Sequence, residues 1–174
     1  MREWRIYENI SLAKEFFLKS IAKREEKYFS ALMNYVSMVM ENDGVDAAIN
    51  TLISYKDSIR QSDQVSRIKY YEKLSSLYLQ AKDYNKLLQT LNALKGIYRS
   101  RLNYVENNKN RAKYTSVILR IARCQAYKKN YEQSIETAKQ AIAEGHSLYA
   151  CVNQMVYCYT IQNDFESARE ITRQ

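Results

Sequence analysis

Proline is absent from the 174 residues, and glycine occurs only at Gly44, Gly96 and Gly145. A β protein needs turn formers at every hairpin, so this scarcity leaves mainly helices. No apolar run reaches the roughly 18 residues of a membrane span, and the opening Met1-Arg2-Glu3-Trp4-Arg5 is charged where a secretory leader is apolar. This segment is therefore expected neither to enter a membrane nor to carry a leader, and a cytoplasmic location is expected, although a longer parent protein could be anchored. The single histidine, His146, stands beside Gly145 with no Ser/His/Asp or Cys/His arrangement around it. Glycine-rich phosphate loops, H-E-x-x-H pairs and calcium loops are missing, so neither cofactor nor metal is expected, and catalysis is not. Cys124, Cys151 and Cys158 are odd in number and lack C-x-x-C spacing, which argues against disulfides and zinc and for buried thiols in a reducing compartment.

Apolar residues make up 46% of the chain, and tyrosine contributes 16 of them, each able to pack a ring and offer a hydroxyl. Their spacing is helical, as in Leu74, Leu77, Tyr78 and Ala81 followed by Leu87, Leu88, Leu91 and Leu94. The pattern predicts an all-α protein of nine helices, over 3–25, 27–41, 45–60, 64–81, 84–105, 109–128, 131–144, 147–162 and 164 to the end. Turn chemistry separates them at Glu41-Asn42-Asp43-Gly44, Lys82-Asp83, Asn107-Asn108, Lys129-Asn130, Gly145-His146-Ser147 and Asn163-Asp164, where each Asp or Asn is expected to cap the next helix. No linker composition divides the chain, so one domain is expected.

Three stretches repeat in register: Lys82-Asp83-Tyr84-Asn85-Lys86-Leu87-Leu88, Lys129-Asn130-Tyr131-Glu132-Gln133-Ser134-Ile135 and Asn163-Asp164-Phe165-Glu166-Ser167-Ala168-Arg169. A weaker copy begins at Asp43-Gly44-Val45. Tyr131 and Phe165 are 34 residues apart, as are Cys124 and Cys158, whereas Val45, Tyr84 and Tyr131 are separated by 39 and 47. Fixed-period similarity marks stacked units that cannot bury their apolar faces alone. On Tyr71, Leu74, Ser75, Tyr78, Tyr84, Leu87, Leu91 and Leu94, and on the aligned Ile118, Ile121, Ala122, Gln125, Tyr131, Ser134, Ala138 and Ala141, the chain resembles the tetratricopeptide (TPR) family. Val152, Met155, Val156, Tyr159, Phe165 and Ala168 continue the series, without the closing proline of that family. The resemblance implies a right-handed superhelix of about three and a half to four antiparallel hairpins, paired as 27–60, 64–105, 109–144 and 147–174 behind an orphan helix over 1–26. Both ends look cut, so a fragment of a larger protein is expected.

Charge is unevenly spread. Residues 95–129 hold ten Lys/Arg and one acid, Glu106, whereas the remainder is close to neutral, so the net charge of +8 arises in this segment. The candidate basic patch is Lys109, Arg111, Lys113, Lys128 and Lys129, with Arg120 and Arg123 alongside. Such a region suits carboxylate or phosphate partners, unless acids from other repeats neutralise it in space. Nucleic acid is the weaker partner, because no recognition motif accompanies the charge. The TPR resemblance further implies a groove lined by the first helix of each pair, and by position its partner-binding residues are Asn34, Ser37, Lys73, Ser76, Arg120, Arg123, Tyr127, Asn153 and Tyr157. It implies a protein-interaction module for a peptide segment, acidic by preference. The alternative is the sensor region of a larger signalling protein or transcription regulator.

Overall fold

The computed structural model describes residues 2–22, 28–59, 63–102 and 108–173, with side chains left out for 2–9, 102 and 108–110. The described residues form nine α-helices and no strand: α1 Arg2–Ala22, α2 Tyr28–Asp43, α3 Val45–Ser54, α4 Gln64–Gln80, α5 Tyr84–Leu102, α6 Asn108–Tyr127, α7 Tyr131–Ala143, α8 Leu148–Ile161 and α9 Phe165–Ile171. They fall into two compact units, Met1–Ala81 and Lys82–Gln174. The expected pair 64–105 straddles that division.

In the first unit α1 packs on α2, α2 on α3 and α3 on α4. Phe29, Leu32, Val36 and Val39 recur at helical spacing on α2 and are buried, facing Ala48, Ile49 and Leu52 of α3. The helix expected over 45–60 stops at Ser54, where a 3-10 turn over Lys56–Ser58 takes over. Ser54 Oγ donates to the Thr51 carbonyl at 2.8 Å and Ser58 Oγ to the Tyr55 carbonyl at 2.6 Å, so hydroxyls take acceptors that a continuing helix would use. Buried Ile59 anchors the exit in extended backbone, and Asp63 then caps α4 by accepting from the Ser66 amide at 3.0 Å.

In the second unit each helix from α5 to α9 packs on the next, and α6 also meets α8 directly. Leu87, Leu91, Leu94 and Tyr98 of α5, Ile118, Ile121 and Ala122 of α6, Ala138 and Ala141 of α7, and Cys151, Met155 and Cys158 of α8 form the core. The repeated stretches share one turn. Lys82, Lys129 and Asn163, their first residues, all take left-handed backbone, with φ of 56°, 63° and 61°. At two of them the amide one residue on reaches back across the helix end, Asn130 to the Gln125 carbonyl and Asp164 to the Tyr159 carbonyl, both at 2.9 Å. This closure satisfies carbonyls that would otherwise be orphaned. All three cysteines are free and buried, as expected.

Several sequence expectations are corrected here. Asp83 and Asp164 cap their helices, accepting from Lys86 and Ser167 amides, but Asn130 makes no side-chain cap. Asp43 ends α2, and Gly44, with φ of 91°, takes the N-cap place of α3. Asn107 lies outside the described residues and Asn108 opens α6. Phe165, in register with the half-buried Tyr84 and Tyr131, is 55% exposed at the start of α9.

Candidate partner-binding site

Helix α6 has two faces. Tyr114, Val117, Ile118, Ile121 and Ala122 are buried, while Arg111, Lys113, Ser116, Arg123 and Tyr127 are exposed and Arg120 is half-buried. On α8, Cys151, Gln154, Met155 and Cys158 turn inward, and Tyr149, Asn153 and Tyr157, four residues apart, turn outward. Where the two helices meet, Arg123, Ala126, Tyr127, Gln154 and Tyr157 line a depression of about 260 Å³. Three expected groove residues, Arg123, Tyr127 and Tyr157, are thus brought together.

Each wall is held by a separate device. The Tyr127 ring stacks on Tyr84, with centroids 5.2 Å apart and planes 30° from parallel. Gln154 Nε2 donates to Ser134 Oγ at 3.1 Å, and Ser134 Oγ donates to the Ala122 carbonyl at 2.7 Å. The Cys158 thiol donates to the same hydroxyl oxygen at 3.3 Å, so the Ser134 hydroxyl uses its one proton and both lone pairs inside the core. A small hydroxyl at this repeat position therefore ties α6, α7 and α8 together. The buried Gln125 Oε1, by contrast, has no hydrogen-bond partner among the described residues.

Electrostatically, this part of the second unit is positive. Arg99, Arg111, Lys113, Arg123, Lys128 and Lys129 have no carboxylate within ion-pair distance among the described residues, whose ion pairs include Lys19 with Glu15 and Lys86 with Asp83. Burial, and then the Arg123 charge, pushes the His146 imidazole below its ordinary value. His146 Nδ1 lies 3.2 Å from Thr115 Oγ1, which also lies 3.1 Å from the Ala112 carbonyl, and the imidazole tautomer sets which of the two the hydroxyl proton serves. Thr115 is buried, and its hydroxyl ties α6 to the turn before α8. Burial raises the Cys124 and Cys151 thiols, keeping them protonated.

The other expected site residues are dispersed. Arg111 and Lys113 lie in the first two turns of α6, and Lys128 and Lys129 lie just past its end, about 22–27 Å away along the axis by helical rise. Lys109 is in the first turn of α6, with its side chain outside the described residues. In the first unit Asn34 and Ser76 are exposed, and the Lys73 ammonium donates to Ser37 Oγ at 2.8 Å. Gln154, Ala126 and Tyr149, the last 77% exposed, were missed by sequence reasoning. The outward spacing of Tyr149 with Asn153 and Tyr157 was the available signal for one of them. Among the described residues no three His, Cys, Asp or Glu side chains cluster to hold a metal, and no helix is long and apolar enough to cross a membrane.

Two solved structures resemble the whole chain. They are crystal structures, one of a single-substitution variant, of nearly identical TPR-like repeats from Podosopora anserina, described as kinesin light chain. They match with TM-scores of 0.63 and 0.64 at 14% and 13% identity, covering 99% of this chain and 88% of theirs. The fold is TPR-like. No family model and no curated protein sequence matches the chain, and at this identity the likeness carries the fold alone. In the TPR-like frame α6 with α7 and α8 with α9 are successive hairpins, so α6 and α8 are both first helices, and their direct packing is what forms the depression.

Proposed function

We propose that this chain is a non-catalytic protein–protein interaction module that binds a segment of another protein along the outward faces of α6 and α8, with preference for an acidic segment. The observation that carries this reading is the convergence of Arg123, Tyr127 and Tyr157 on one solvent-open depression, in a region where Arg111, Lys113, Arg123, Lys128 and Lys129 have no carboxylate within ion-pair distance among the described residues. Tyrosine and arginine are the side chains that contribute most at protein interfaces, through large amphipathic area and fork-shaped hydrogen bonding. Charge of one sign adds steering of an acidic partner. Arg111, Lys113, Arg120 and Asn153 would extend the contact along the same helices. Three buried free thiols fit a reducing compartment, and a cytoplasmic location is part of this reading.

The test is selection of 12-residue peptides from a random library against the full chain, followed by calorimetry of the selected sequences. Acid-rich peptides are expected, with affinity falling as salt rises and falling about tenfold or more in Tyr157→Ala and in Arg123→Glu. Peptides whose affinity ignores both substitutions would show that binding lies elsewhere.

A further inference from the structure

Where α3 ends early, the first unit holds a depression of about 360 Å³ between the 3-10 turn over Lys56–Ser58 and the first turns of α4. Its walls are Lys56, Asp57, Ile59, Arg67, Tyr70 and Tyr71, none of them an expected groove residue. The turn is held in place from several directions. Ser58 Oγ donates to the Tyr55 carbonyl at 2.6 Å, the Tyr28 hydroxyl of α2 donates to the Ser58 carbonyl at 3.2 Å, and buried Ile59 follows in extended backbone. On α4 the Tyr70 and Tyr71 rings meet edge to face, with centroids 5.2 Å apart.

Tyr70 is only 3% exposed, and its hydroxyl makes no hydrogen bond among the described residues. That oxygen is not sealed in the core, so it ends at the depression. Burial, then the Tyr71 and Tyr78 phenols and the Asp57 charge, push the hydroxyl up to about 12, so at neutral pH it has a proton to donate. A nearly buried hydroxyl without a partner is unfavourable until an acceptor reaches it. Lys56 and Asp57, neighbours in sequence and both exposed, form no ion pair with each other or with another described residue. Half-buried Arg67 adds a second cation. One small depression thus presents both signs of charge without their neutralising each other. A simple anion meets Asp57 there, and a simple cation meets Lys56 and Arg67, whereas a ligand bearing both signs is repelled by neither.

We propose that this depression is a binding site for a small amino-carboxylate, a free molecule with one ammonium, one carboxylate and a short apolar body. Asp57 accepts from the ammonium, Lys56 and Arg67 hold the carboxylate, and the Tyr70 hydroxyl donates to it. Bonds between ionised groups of this kind are charge-assisted and outweigh neutral ones. Ile59 and the Tyr71 ring cover the apolar body. A volume of about 360 Å³ admits a molecule of amino-acid size and no folded element. The site lies wholly within the first unit and stands apart from the outward faces of α6 and α8.

Four probes test the site when titrated into the isotope-labelled full chain and followed by backbone amide NMR. Leucine and ε-aminocaproate carry both charges, set close together and far apart, whereas N-acetylleucine and leucinamide keep one charge each. At least one dipolar probe is expected to bind saturably and about tenfold more tightly than either single-charge probe. Whichever dipolar probe is tighter gives the charge spacing that the site accepts. Asp57→Asn and Lys56→Gln, both at exposed positions, are each expected to weaken that binding about tenfold with unchanged thermal unfolding. Tyr70→Phe keeps the ring, removes the donor and should weaken binding about threefold or more. The site is overturned if neither dipolar probe saturates, if a single-charge probe binds as tightly, or if binding ignores both Asp57→Asn and Lys56→Gln.

Discussion

The two compact units are built from the same kind of helix and differ in how they use polarity. Residues 1–81 hold 12 Lys/Arg against 11 Asp/Glu, whereas residues 82–174 hold 15 against 8, so the positive charge of the chain belongs to the second unit. In the first unit the bond between Lys73 and Ser37 is half-buried and joins groups that water can also satisfy. In the second, the Ser134 hydroxyl sits in the core with its proton and both lone pairs engaged. The second unit also carries the regular 34-residue spacing and the repeated left-handed turns, while the first breaks its third helix with a 3-10 turn. Regular repeats set an exposed basic and aromatic face on α6 and α8, where the depression holds Arg123 without an acid, whereas the first unit's depression of about 360 Å³ sets Asp57 beside Lys56, Arg67, Tyr70 and Tyr71.

Breaking the polar core should give the largest contrast. Ser134→Ala removes the acceptor shared by Gln154 Nε2 and the Cys158 thiol and the hydroxyl donated to the Ala122 carbonyl, and is expected to cost about 2–3 kcal/mol in urea unfolding. Ser37→Ala removes a half-buried acceptor from Lys73 and should cost less than about 1 kcal/mol. Equal costs would erase the distinction drawn between the units.

Turn geometry comes next. Gly145 has φ of 89°, so Gly145→Ala should lose about 1 kcal/mol although its Cβ would meet open space. Lys129, a non-glycine residue at φ of 63°, should behave oppositely, Lys129→Gly gaining up to about 1 kcal/mol. Thermal unfolding of the two variants reads the sign directly, and a loss in Lys129→Gly would mean that its side chain does more than occupy the turn.

The smallest effect concerns acid. Side-chain and backbone bonds from Ser66 hold the Asp63 carboxyl below its ordinary value, and bonds from Ser167 do the same for Asp164, one cap in each unit. A carboxyl depressed in the folded state stabilises fully above its unfolded value, near pH 4, and that contribution fades as pH falls through the folded value. Melting temperature followed from pH 6 down to pH 2 should therefore drop less steeply in Asp63→Asn and Asp164→Asn than in the wild type. Curves that stay parallel would deny these caps a share in acid stability.

Much of this fold was legible because its signals are local. Apolar spacing of three and four marked the helices, and Asp before a polar turn marked the starts of α5 and α9, whereas the Asp63 cap of α4 emerged only from the structure. The early end of α3 was not, because the hydroxyl bonds of Ser54 and Ser58 compete with a helix only once Ile59 has been drawn into the core. Of the site, Arg123 and Tyr127 could be read as neighbours four residues apart on one helix face. Tyr157 could be placed on an equivalent face by the repeat. Gln154 could not, since an amide amid apolar residues gives no sign of whether it caps, packs or binds.

Residue order alone settled the all-helical character, the breaks before α5, α7 and α9, the buried thiols and the concentration of charge within residues 95–129, because each follows from neighbours a few positions apart. Which face of α6 meets which face of α8 was decided only by tertiary packing, through the Ser134 hydroxyl that bonds Ala122, Gln154 and Cys158 at once. The register between two helices depends on how their side chains interlock around a third, and that is a property of the assembled core.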